Sequence, residues 1–173
     1  MVNNFSIILQ LITRSTDPED HPVCMGRIRA VLDSLEHSVL IHQAHSEKIN
    51  QLINCGLRVT VCPQEPIDQI VGILLFEKLN AVLEDRMQIT DLDICSDWSD
   101  GIWFMHSNNE KVSAIPEVGW WNEAGPECNV SVPTPAEKKV VKLRKQLTWK
   151  ALELDWQSNQ PTETVIINIK DDK

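Results

Sequence analysis

Residues 88–107 read QITDLDICSDWSDGIWFMHS. Two runs with a strand's mix of branched, aromatic and alternating polar residues, 88–98 and 102–107, flank Asp100-Gly101. That pair suits a two-residue type I′ turn, so the stretch predicts a β-hairpin. With such a turn Ser99 faces Ile102, Trp98 faces Trp103, Asp97 faces Phe104 and Cys95 faces His106. Side chains alternate between the faces of a strand. Leu92, Ile94, Trp98, Trp103 and Met105 then make a core face with a cross-strand Trp pair. Asp91, Asp93, Cys95, Asp97, Phe104 and His106 make the other.

Upstream of the hairpin the apolar period becomes helical. Ile70, Val71, Ile73, Leu74, Leu75 and Phe76 cover nearly the whole circumference of a helix over 67–84, with Pro66 suited to its first turn. A helix apolar all round is buried, so this one belongs on the sheet. The run 57–62 is a short β-branched strand ended by Pro63. Met25, Ile28, Leu32, Leu35, Val39, His42, Ser46, Ile49 and Ile53 keep a 3,4 spacing, with no Pro or Gly between Arg27 and Cys55, and Gly56 is a helix stop. This predicts one long N-terminal helix of about 30 residues, some 45 Å long, or a helix pair meeting near His37-Ser38. Residues 4–13 read as a strand and 17–22 as a loop.

Downstream, residues 108–135 are rich in Gly, Pro, Asn and Trp and read as an irregular loop. Residues 136–156 read as an amphipathic helix with Val140, Leu143, Leu147, Ala151 and Leu154 in its stripe, and 164–170 as a last strand. The expected organisation is an α+β core over 1–107 ending in the hairpin, the loop over 108–135, and a helix plus strand over 136–173 packed on the core. The fold class is α+β: a small, mostly antiparallel sheet with helices on one face.

The chain has 173 residues, one domain's worth, with 42% hydrophobic and 24% charged residues. That composition excludes disorder throughout and a disulfide miniprotein. Lys plus Arg is 16 and Asp plus Glu 25, a net charge of -9. The excess lies in residues 1–130, with 8 basic and 19 acidic side chains, against 8 and 6 in 131–173. Phosphate backbones and anionic membranes repel such a chain, so nucleic acid and membrane are unfavoured partners. Five cysteines occur without a Cys-x-x-Cys, no signal peptide is legible, and no run reaches a membrane span. The sequence reads as cytoplasmic with reduced thiols.

No Gly-rich phosphate loop or Gly-x-Ser-x-Gly elbow is present, and the leading expectation is not an enzyme. It is an acidic protein-binding module of an inhibitor, immunity or mobile-element accessory kind, docking on a basic protein. Asp91, Asp93, Asp97 and Asp100 would supply the charge, and Trp120 and Trp121 the anchors. An alternative is a metal-dependent hydrolase or phosphoesterase. Asp91 and Asp93, about 7 Å apart on one strand face, would hold a divalent cation with His106 as ligand or base. Asp93, Cys95 and His106 would suit zinc in the same place. The same face also reads as a solvated acidic surface. Two weaker metal patterns are His42 with His45, and His21 with Cys24. A third function class is an assembly subunit dimerising along the long helix through Leu35, Val39 and His42.

Overall fold

The computed structural model describes residues 3–107, 115–128 and 147–156. The expected strand over 164–170 and the first half of the helix expected over 136–156 lie outside those residues. In chain order the elements are β1 (Phe5–Thr13), α1 (Asp20–Leu35), β2 (Ser38–His42), α2 (Ser46–Asn54), β3 (Arg58–Cys62), α3 (Asp68–Leu83), β4 (Met87–Ser96) and β5 (Phe104–Ser107). Two short 3-10 turns follow, at Trp120–Asn122 and Lys150–Leu152.

The elements form two sheets. β1, β4 and β5 make an antiparallel sheet with β4 in the centre, and β2 and β3 make a parallel pair. The fold is α+β, as the patterns imply. The continuous helix over Arg27–Cys55 is absent. α1 stops at Leu35, His37 takes a left-handed backbone with φ of 59°, and Val39, Leu40 and Ile41 enter β2. Three β-branched or apolar residues in a row pair with Val59, Thr60 and Val61, and that pairing outweighs a 3,4 spacing that continues by coincidence. The dimerisation stripe is lost with it. Leu35 packs against the core, whereas Val39 and His42 lie in a strand. Gly56, with φ of 79°, does close α2.

α3 is buried on nearly all sides, as its composition predicts. Val71, Leu75, Leu79, Val82 and Leu83 join Ile89, Leu92 and Ile94 of β4 and Cys24, Ile28 and Val31 of α1 in one cluster. Ile70, Ile73 and Leu74 join Cys62 and Trp121 in a second. The helix therefore fills the space between two cores, which is why it needs no polar stripe. Each fully buried Leu or Val contributes roughly 1.5–3 kcal/mol relative to exposure.

Two buried cations tie outlying segments to this body. Lys78 donates from Nζ to the carbonyls of Glu123 (2.8 Å) and Gly125 (2.7 Å). Arg27 donates to the carbonyls of Leu154 (2.9 Å) and Val82 (3.0 Å) and pairs with Glu84 at 3.2 Å. Its guanidinium lies 4.6 Å from the ring centre of Trp149 and 3.8 Å from that of Trp156. Residues 147–156 are therefore not the end of an amphipathic helix. They form a 3-10 turn followed by residues without regular structure, with a left-handed Glu153, because Trp149, Leu154 and Trp156 are drawn onto α1 and α3.

Candidate functional site

The hairpin turn forms as its sequence demands, but the register derived from it does not. Asp100 and Gly101 both take positive φ, 52° and 81°, and Ile102 N–H donates to Ser99 C=O at 2.9 Å. The strands then separate instead of pairing Trp98 with Trp103. β5 pairs with β4 three residues away from the expected register, with Ile94 opposite Phe104, Asp93 opposite Met105, Leu92 opposite His106 and Asp91 opposite Ser107. The cause is a knot of hydrogen bonds, one of them to the distant Asp68, at the end of β4. Ser96 N–H donates to the Asp68 carboxylate at 3.0 Å and lies 3.2 Å from Ser99 Oγ. Ser99 Oγ donates to Ser96 C=O at 2.7 Å, and Ser99 N–H donates to the same carbonyl at 3.1 Å. A second turn, 96–99, thus precedes the type I′ turn and uses up the residues that would have extended the ladder.

An odd shift moves side chains to the opposite face. Asp91 and Asp93 flank the inward Leu92 and keep the outer face. His106 turns inward, is 6% exposed, and lies under α3 against Gly72. The proposed triad Asp91, Asp93 and His106 therefore straddles the sheet and cannot share one ion. Asp93, Cys95 and His106 fail for the same reason. Met105 and the two tryptophans leave the core face: Met105 is 71% exposed, Trp98 63% and Trp103 43%.

The outer face of the three-stranded sheet is the first candidate surface. Across it run the rows Ile8–Asp93–Met105 and Gln10–Asp91–Ser107. Ile8 and Ile12 are about half exposed. Trp98 and Ile102 are exposed at the hairpin, where Asp97 accepts from Asn4 Nδ2 at 2.7 Å. Among the described residues, no Lys or Arg forms an ion pair with Asp91, Asp93, Asp97 or Asp100.

Trp120 and Trp121 are elsewhere and do not form an exposed anchor. Trp121 is buried, and the two rings meet edge to face at 5.8 Å. Their indole N–H groups donate to Val61 C=O and Pro116 C=O, each at 2.9 Å. They fasten residues 115–128 to α3 and β3, the ordinary use of a large ring with one polar edge.

The second candidate lies at the carboxyl ends of the parallel pair. His42 is the last residue of β2, His45 precedes α2, and Glu65 lies in the β3–α3 connection. Glu65 Oε1 is 3.4 Å from His42 Nδ1 and 3.3 Å from His45 Nε2. Reading 38–42 as helix paired His42 with His45 by an i, i+3 rule and concealed Glu65. Reading it as a strand would have placed His42 and Glu65 on the same edge, because neighbouring parallel strands end together. The other pattern fails. Cys24 is fully buried, His21 is exposed, and burial pushes the Cys24 thiol up to about 11. The Cys62 thiol is pushed up to about 12 by the same desolvation, so it stays protonated and is a poor nucleophile. No helix among the described residues is long and apolar enough to cross a membrane.

No protein-family model and no curated protein matches the chain.

Proposed function

We propose that this chain is a protein-binding module whose docking surface is the outer face of the β1–β4–β5 sheet and its hairpin tip, and that its partner is a basic protein. The observation that carries the reading is the mixture on that face. Ile8 and Met105 flank Asp93 on that face, Ile12 is exposed further along β1, and Trp98, Ile102 and Trp103 are exposed in the hairpin segment that carries Asp97 and Asp100. Contiguous exposed apolar surface rimmed by polar groups marks interaction sites. Tryptophan and methionine supply contact energy at such sites, and an acidic surface speeds the approach of a cationic partner. The anchors in this reading are Trp98 and Trp103, because Trp120 and Trp121 are occupied in holding the fold.

The test is capture from a lysate of the organism that encodes the chain, eluted in salt steps, with three baits. Wild type should retain a basic protein that elutes as salt rises. Asp91→Asn with Asp93→Asn should lower the salt needed for elution. Trp98→Ala should weaken binding by about 2 kcal/mol or more, the cost of removing a hot-spot side chain. Equal retention by all three baits contradicts the reading, and so does retention of nothing basic.

A further inference from the structure

We infer that His42, His45 and Glu65 form a binding site for one divalent transition-metal ion of the zinc type, on the edge of the molecule where β2 and β3 end. The site is independent of the docking face, since none of its residues belongs to β1, β4 or β5.

The geometry fits such an ion. Zinc lies about 2.0–2.2 Å from imidazole nitrogen and carboxylate oxygen, so tetrahedral ligand atoms stand about 3.3–3.6 Å apart. The two separations from Glu65 Oε1, 3.4 and 3.3 Å, have that spacing. One ligand atom from each of the three side chains lies within 4.8 Å of the others. A pair of imidazoles with one carboxylate suits zinc and its neighbours rather than calcium or magnesium, which take oxygen.

The His42 ring is held for the purpose. Its Nε2 lies 3.1 Å from the Pro63 carbonyl. A carbonyl only accepts, so Nε2 carries the hydrogen, and in the neutral ring the lone pair is left on Nδ1. That nitrogen faces Glu65. A ligating histidine with its other nitrogen bonded to a backbone carbonyl is the usual outer arrangement at metal sites. The scaffold is equally stiff. Gln43 N–H donates to Cys62 C=O at 2.9 Å and its side chain to Pro63 C=O at 3.3 Å, joining the two strand ends. Pro63 and Pro66 bracket Glu65, and a residue before proline is restricted to extended backbone. His42 is mostly buried, whereas His45 and Glu65 are exposed. Three protein ligands with an open side leave a coordination position for solvent or a substrate, as in catalytic rather than structural zinc sites.

The experiment is calorimetric titration with Zn²⁺ alone, in a Cys55→Ser background that removes the exposed thiol. The expected result is one ion per chain. His45→Ala and Glu65→Gln should each weaken binding at least tenfold. His37→Ala, at the opposite end of β2, should leave it unchanged. Bound Co²⁺ should show ligand-field bands with no thiolate charge-transfer band. The inference is overturned by no saturable binding, by full affinity in His45→Ala and Glu65→Gln, or by a cobalt spectrum showing sulfur ligation. His45 and Glu65 are exposed, so their replacement does not endanger the fold.

Discussion

Cys62 ends β3 with its thiol against Ile70, Ile73 and Leu74, and desolvation holds its proton up to about 12, against an ordinary 9.0. The unfolded chain releases that proton near 9.0, so above this pH the folded state binds more protons. This thiol's contribution to stability is therefore complete below about pH 9 and is lost as pH rises towards 12. The limiting slope is about 1.4 kcal/mol per pH unit for one such thiol. Lys78 acts in the opposite sense, because burial lowers its pKa below 10.5. The comparison of wild type with Cys62→Val cancels that contribution. Urea denaturation between pH 8 and 11 should show a shallower decline in the variant, and parallel curves would contradict the assignment. None of this polar anatomy was legible in the sequence. Nothing local to Lys78 or Arg27 announces the carbonyls of Glu123, Gly125 and Leu154 that they reach.

At the scale of elements, what could be read was what depends on neighbours in sequence. β1, β3, α3 and the type I′ turn follow from alternation, all-round apolarity and Asp100-Gly101. What could not be read depends on partners far along the chain. β2 is a strand because β3 is beside it. The hairpin register follows from Asp68, 28 residues before Ser96, capturing the Ser96 amide. The consequence for the candidate site is large, because the same shift sends His106 inward and exposes Trp98, Trp103 and Met105. Gly72 tests this packing. A Cβ there would lie 2.5 Å from His106 Nε2 and 2.8 Å from Ile94 Cγ2. In an unobstructed helix, Gly→Ala stabilises by about 1 kcal/mol. At Gly72 the crowding, typically about 1–3 kcal/mol, should reverse the sign, so Gly72→Ala should lower the urea midpoint. A raised midpoint would mean that His106 is not under α3.

Among the described residues, the principal sheet has one covered face and one open face. α3 and α1 fill the inner face, and Trp120, Trp121, Trp149 and Trp156 clasp the segments at 115–128 and 147–156 to that helical side. The six tryptophans thus divide into four that hold the body together and two, Trp98 and Trp103, that stand at the open hairpin. Composition alone could point to tryptophan as a contact residue but not to which ones, because exposure is decided by the register. The uneven charge of the sequence has its counterpart on the outer face, where Asp91 and Asp93 lie between Ile8 or Gln10 and Met105 or Ser107. A partner that covers this face must shield Met105, Trp98 and Trp103 together. Hydroxyl-radical footprinting of the chain, alone and bound to the basic protein it captures, measures that directly. These three residues should oxidise rapidly in the chain alone and be strongly protected in the complex, with Trp120 and Trp121 slow in both. Protection already present in the chain alone, or oxidation unchanged in the complex, would contradict this docking face.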